Sequence, residues 1–283
     1  MNGATLGVAA LLRRYPFRGK TFLWNALEPQ LRPARHTVRM PGGGRMALDT
    51  SFYWQRRMIA ACFERRAVWL LSRILRDGDA FIDGGANCGY FSCIAAGLMG
   101  PRGQVLAVEA DARIIGQLTR QSELNPTIRV VQAALSSVAG RADFFLPPDH
   151  GAGYDIALAS LEPHEGWKPV RVESVTLDEL IAPLDRPVRL LKLDIEGHEA
   201  AALRGATEAL RSGRLESVLV EIRDSVDAVA ELSKYPFDAV LDVPSGFRPV
   251  DPATFTARET DLVFLRGESW RRWRASAGRT RWV

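Results

Sequence analysis

Asp83-Gly84-Gly85-Ala86-Asn87-Cys88-Gly89 is the stretch that most narrows what this chain can fold into. Ahead of it, apolar Ala80-Phe81-Ile82 reads as a short buried strand. Behind it, Tyr90 to Ala96 reads as the start of a helix with a small-residue face. A strand, a glycine turn and a helix in that order gather backbone N–H groups and a helix N-terminus at one point. That geometry suits the polar end of a nucleotide-like ligand. Gly85 and Gly89 can take backbone conformations closed to other residues and let the chain approach a ligand closely.

The loop is not a nicotinamide fingerprint. Only G-x-x-x-G is present, with Asn87 where the second glycine of G-x-G-x-x-G would fall. Gln104 to Glu109 reads as a second strand whose acid lies 20 residues past Gly89. A carboxylate there can accept two hydrogen bonds from a ribose diol.

A second informative segment is the strand expected over Val188 to Ile195. Central parallel strands are buried on both faces and read as nearly continuous apolar runs. Here Lys192, Asp194 and Glu196 alternate with Leu191, Leu193 and Ile195, so three charges share one face near the strand's carboxyl end. Burying unpaired charges is costly, so they pair with each other, a ligand or a cation. In open α/β sheets that end is where ligands bind. Gly197 then turns the chain, and Glu199 opens the next helix as a supporting acid. A salt-bridged brace for the strand would use the same residues.

Asp83-x-Gly85-Ala86-Asn87-x-Gly89-Tyr90, then Glu109, then Lys192-Leu193-Asp194-Ile195-Glu196-Gly197-His198-Glu199 together resemble the FkbM family of S-adenosylmethionine-dependent methyltransferases. The likeness runs in outline from Glu64 to Arg266, and Glu64 falls where the family usually has a glutamate. It implies an α/β class I methyltransferase (Rossmann-like) fold, a three-layer sandwich with a mostly parallel sheet and a closing antiparallel strand pair. It implies S-adenosyl-L-methionine as cofactor, held by Asp83, Gly85, Asn87, Gly89, Tyr90, Glu109 and Ala134. The acceptor would be a hydroxyl of a sugar, a glycolipid or glycan unit, or a polyketide-type natural product.

Methyl transfer from a sulfonium is an in-line displacement, so the protein has to hold acceptor and methyl in near-attack contact. An alcohol acceptor must also lose a proton, for which Asp194, Glu196 and His198 are the candidate bases. Asp194, Glu196 and Glu221 form an oxygen-rich set that would equally suit Mg²⁺, so metal-held and metal-free acceptors both stay open. No Asn-Pro-Pro-Tyr segment, typical of methylation on exocyclic base amines, is present. That favours oxygen and argues against a nucleic-acid partner. An NAD(P)-dependent oxidoreductase with a divergent loop and a non-catalytic cofactor-binding module share the same strand, turn and ribose acid.

The remaining chain is expected in three parts: an irregular N-terminal extension (1–51), a catalytic domain (52–267) and a basic Arg/Trp tail (268–283). The extension, broken by Pro29, Pro33, Pro41 and Gly42-Gly43-Gly44, should hold one short helix and a hairpin near Thr37–Met40 and Arg45–Leu48. An amphipathic helix over Phe52 to Leu75, breaking near Glu64–Arg66, leads into the first strand. Ala112 to Leu124 is expected as a helix, Ile128 to Ala134 as the third strand, with Ala133, Ala134 and Leu135 beside the adenine. An excursion over residues 141–176 carries two strands and the loop residues His150 and His164, which rank below the acidic cluster. Glu199 to Arg211 is expected as one helix. The net charge of +4 resides in the tail, which carries five arginines against Glu268. Three cysteines are too few for a disulfide framework, and Leu6 to Leu12 is too short to span a bilayer, so the chain is expected in the cytoplasm.

Overall fold

The computed structural model describes residues 3–14, 19–148, 159–222, 226–243, 246–252, 255 and 260–277. Helices α1 (Gly3–Arg14) and α2 (Lys20–Leu27) precede a hairpin of β1 (Arg35–Arg39) and β2 (Arg45–Asp49). Then come α3 (Tyr53–Ile59), α4 (Arg65–Ile74), β3 (Ala80–Gly84), α5 (Tyr90–Met99), β4 (Gln104–Glu109), α6 (Ala112–Leu124) and β5 (Ile128–Gln132). The excursion holds β6 (Ala134–Leu135), β7 (Gly140–Leu146) and β8 (Lys168–Val175). The second half runs α7 (Leu177–Ile181), β9 (Val188–Leu193), α8 (Glu199–Arg204), α9 (Thr207–Ser212), β10 (Ser217–Ile222) and α10 (Asp227–Leu232). It closes with β11 (Asp238–Val243), β12 (Gly246–Val250), β13 (Thr260–Leu265) and α11 (Gly267–Ala277).

The main sheet has the order β12-β11-β13-β10-β9-β3-β4-β5. β3, β4, β5, β9 and β10 run parallel, and β13 is inserted antiparallel between β10 and β11. Alternation along β3 explains the layers: Phe81 joins the core under α4, α5 and α6, whereas Ile82 joins the core under α7 to α10. Both are fully buried, as a central strand requires. The order reverses between β3 and β9, which opens a crevice at their carboxyl ends.

Several segments differ from the sequence reading, each for a local reason. The third strand stops at Gln132, because the Ala133 N–H turns to the Glu109 carbonyl and Ala134-Leu135 pair with β8 in a separate three-stranded sheet. The helix after β9 divides at Gly205, where a Cβ would lie 2.2 Å from the Ser136 carbonyl oxygen. Two helices, not one, occupy the N-terminal segment. His150 belongs to residues 149–158, which lie outside the described residues.

The hairpin is built into the body. Gln121 accepts from the Ala47 N–H (2.8 Å) and donates to the Ala47 carbonyl (2.9 Å), and Asn125 does the same for Arg45. Two side-chain amides thus pair the edge of β2 as a strand would. Gly44 and Gly97 permit this approach: a Cβ on Gly44 would stand 1.8 Å from the Cys93 carbonyl oxygen.

The tail also packs on the body. Arg272 reaches Asp79 (2.6 Å) and the Ile74 carbonyl (2.9 Å), and Trp273 is buried against a stacked Trp270. Arg279, Arg281 and Trp282 lie outside the described residues.

Candidate active site

A cavity of about 740 Å³ opens at the carboxyl ends of β3, β4 and β9. Its first wall is the β3–α5 turn. Gly85 has φ +73°, and a Cβ there would sit 1.9 Å from the Asp194 carbonyl oxygen, so glycine alone fits. The Gly85 and Ala86 N–H groups both donate to the Val108 carbonyl at 3.0 Å, which closes the turn against β4.

Glu109 completes that corner. One carboxylate oxygen accepts the Asn87 N–H (2.8 Å) and the other the Asp111 N–H (2.9 Å). Each oxygen keeps lone-pair capacity for a hydroxyl donor. Burial pushes this carboxyl above its ordinary value, against the pull of those backbone hydrogen bonds. Asn87 itself holds φ +48°.

The neighbouring wall, at the end of β9, carries the charges. Lys192 is buried, donates to Asp194 at 3.0 Å and lies over the Phe91 ring at 5.0 Å. Burial pulls its ammonium down, but the Asp194 and Asp83 charges outweigh that and hold it above the ordinary lysine value. Glu196 stands at φ +55°. Its loop is clamped: the Ile195 N–H (2.9 Å) and Gly197 N–H (3.3 Å) donate to one oxygen of buried Glu199, and Ser160 donates to the Glu196 carbonyl at 3.0 Å. Among the described residues four non-glycines have positive φ, and Glu64, Asn87 and Glu196 all line this cavity. Such conformations cost of order 1–3 kcal/mol each and gather where a site has to be shaped.

The named residues fall in two groups. Gly85, Asn87, Tyr90, Glu109, Ala134, Asp194 and Glu196 line the cavity, together with Glu64, Ala133, Leu135 and Glu221. Asp83, Gly89 and His198 stand behind it. Asp83 is fully buried and accepts from Ser92 at 2.6 Å, while its other oxygen has no hydrogen-bond partner among the described residues. Burial raises its carboxyl, opposed by the Lys192 charge. Gly89, at φ +84°, begins α5 against Leu118. His198 faces Ser136 (3.3 Å) and Glu162 (3.6 Å), and burial lowers its imidazole below the ordinary value despite Glu162. His164 packs against Trp167, with ring centroids 4.2 Å apart. Among the described residues no three His, Cys, Asp or Glu side chains are arranged as metal ligands.

Sequence reasoning passed over Trp54, Phe63, Asp111 and Asp261, which also line the cavity. Asp111 had a readable signal, as it caps α6 by accepting the Arg113 N–H. Trp54 and Phe63 extend an edge-to-face run onto Tyr90, whose hydroxyl donates to the Phe63 carbonyl at 3.1 Å. Asp261 arrives from β13, far away in sequence.

A sheet of six strands in one direction, with β13 inserted antiparallel between β10 and β11 and β12 antiparallel at the edge, together with the glycine turn after β3, Glu109 at the end of β4 and the charges after β9, defines a class I methyltransferase fold. The sequence profile of the Methyltransferase FkbM domain matches residues 83–242, more than half of the chain. The chain belongs to the FkbM methyltransferase family. The hexuronic acid methyltransferase AglP of Haloferax volcanii is 29% identical over 166 residues, which cover 58% of this chain. The chain spans 64% of that relative's length, less than two thirds. Among solved structures, methyltransferase FkbM from Methylobacillus flagellatus is 17% identical with a TM-score of 0.46, covering 75% of this chain and 54% of that one. Fibrillarin from Aeropyrum pernix, which has natively bound S-adenosyl-L-methionine, is 15% identical with a TM-score of 0.43, covering 83% and 98%.

Proposed function

We propose that the protein transfers the methyl group of S-adenosyl-L-methionine to a hydroxyl oxygen, with a sugar or glycan unit as acceptor. The observation that carries this reading is the meeting, in one cavity, of the Gly85 turn, Glu109 and the Lys192–Asp194–Glu196 face. The family and the sugar-modifying relative support it.

The residues fit a nucleoside sulfonium. Glu109 would take the ribose diol, the Gly85–Asn87 backbone would admit close approach, and Ala133, Ala134 and Leu135 would flank the base. When bound, the donor supplies an electrophilic methyl that needs no further activation. The chain's own work is then orientation and proton removal. Asp194 or Glu196 takes the acceptor hydroxyl proton as the new C–O bond forms. Lys192 fixes Asp194 by their 3.0 Å contact, while Glu199 and Ser160 hold Glu196 in its left-handed conformation. His198, turned toward Ser136 and Glu162, would act through that wall and not on the acceptor.

Cys62, Cys88 and Cys93 are buried thiols, which suits a reducing compartment, and we place the protein in the cytoplasm. No described helix is long and apolar enough to cross a membrane.

The test is methyl transfer from radiolabelled S-adenosylmethionine to a panel of neutral, amino and uronic glycosides. Label incorporated into an alkali-stable ether on any of them supports the reading. Label found on an amine, or only as an alkali-labile ester, would overturn oxygen-ether transfer.

A further inference from the structure

Residues 1–66 carry twelve lysines and arginines against three acids, whereas residues 67–267 carry 20 against 29. Basic charge is therefore concentrated in the first 66 residues as well as in the tail, and α1, α2 and α3 carry five of those basic side chains and no acid. That layer of helices also exposes apolar surface. Of seven large apolar side chains left exposed among the described residues, five lie on α1, α2 and α3: Leu11, Phe22, Leu23, Tyr53 and Trp54. Single exposed apolar residues are ordinary, but their concentration on three adjoining helices is not.

The three helices are held together by their inward groups. Arg13 donates to the Ile59 carbonyl, Trp24 Nε1 to the Arg56 carbonyl (2.9 Å) and Arg57 to Asn25 (2.9 Å). Phe22 lies two residues from buried Trp24, about 200° round the helix, so it points away from the body. It is 82% exposed, the most exposed of the seven. Trp54 is both exposed and part of the cavity wall, so this layer borders the cavity mouth.

We infer that α1, α2 and the start of α3 form a docking face for an anionic lipid bilayer. An aromatic and aliphatic face on helices that carry four arginines (Arg13, Arg14, Arg56 and Arg57) and no acid matches the chemistry of interfacial helices, with apolar side chains entering the headgroup region and cations meeting anionic lipid. Charge complementarity selects this partner over a second copy of the chain, whose equally basic face would be repelled. It also explains the exposed Phe22, which a purely electrostatic partner would leave without a role. Docking would present the Trp54 rim of the cavity to the lipid surface. The inference does not depend on the acceptor or on turnover.

The test is co-sedimentation of the full chain with vesicles of phosphatidylcholine, alone or with added phosphatidylglycerol. The expected result is binding to the anionic vesicles only, weakened by added NaCl as screening shortens the reach of the charges. Phe22→Asp with Leu23→Asp should weaken it ~10-fold or more, the effect of withholding one or two large apolar groups. Phe22→Ser is a milder second variant expected to act in the same direction. Because both residues are exposed, the melting temperature of either variant should match the parent. No sedimentation with either vesicle type overturns the inference. So does unchanged binding by the folded variants, or retention of the chain by a single-stranded RNA oligonucleotide but not by vesicles.

Discussion

Asp194 sits 3.0 Å from a buried ammonium, and that contact makes its substitution informative. Asp194→Asn keeps the shape and can still accept from Lys192, so folding and donor binding should survive. If Asp194 takes the acceptor proton, turnover should fall by ~10²–10⁴-fold, the usual range for general acid–base catalysis. His198→Ala, which removes a group behind the wall, should cost much less. Equal losses in the two variants would move the base to the imidazole. Near-normal rates in both Asp194→Asn and Glu196→Gln would reduce the charged face to a brace. Lys20 offers a residue-scale test of stability. It is buried in α2, and burial lowers its ammonium from the ordinary 10.5 to about 8. Between about 8 and 10.5 the unfolded chain binds more protons than the folded one, so stability should rise with pH across that window. Lys20→Met should stabilise at neutral pH by ~1–2 kcal/mol and flatten that rise, read from thermal melts. A variant no more stable than the parent at pH 7 would show that the burial cost is relieved by water. Lys192, Asp194 and Glu196 do meet at one cavity, but not by the strand alternation expected over Val188 to Ile195: β9 ends at Leu193, and Glu196 is placed by a left-handed loop beyond it. That Asp83 and His198 stand behind the cavity was not legible, because a motif gives residue types without the direction each side chain takes.

Among the elements, the N-terminal hairpin and α11 decide how far the domain extends. Gly44→Ala would drive a Cβ into the Cys93 carbonyl and unseat β2 from Gln121 and Asn125. It should cost ~2 kcal/mol or more, the scale of overpacking, and lower the melting temperature by several degrees. A melting temperature unchanged within about a degree would mean that the hairpin's seat yields. Truncation after Gly267 should likewise destabilise, since it strips Asp79 of Arg272 and uncovers the site of Trp273. Donor binding should persist, as none of the described tail residues lines the cavity. β4 and α6 were legible to the residue, each being a strongly periodic run between clear breakers. That the tail packs on the body was not legible from its arginines and tryptophans, because its burial depends on Asp79, nearly two hundred residues away. The division of α8 from α9 was hidden for the same reason. Gly205 answers to the Ser136 carbonyl and not to its own helix.

For the whole molecule, the reversal of strand order between β3 and β9 brings the turn, Glu109 and the charged residues at the end of β9 into one crevice. That convergence was legible because both motifs sit at the carboxyl ends of parallel strands, where such sheets bind ligands. The contributions of Trp54 from α3 and Asp261 from β13 were not, since each depends on how distant elements close over that crevice. The central claim is that this crevice binds a nucleoside sulfonium through Glu109. Titration calorimetry with S-adenosylhomocysteine, NAD and NADP, on the parent and on Glu109→Ala, tests it most directly. The account predicts one-site binding of S-adenosylhomocysteine alone, weakened in the variant by ~1.5–3 kcal/mol, the worth of hydrogen bonds to a charged group. Binding of NAD or NADP in its place, or affinity for S-adenosylhomocysteine unchanged in Glu109→Ala, would contradict it.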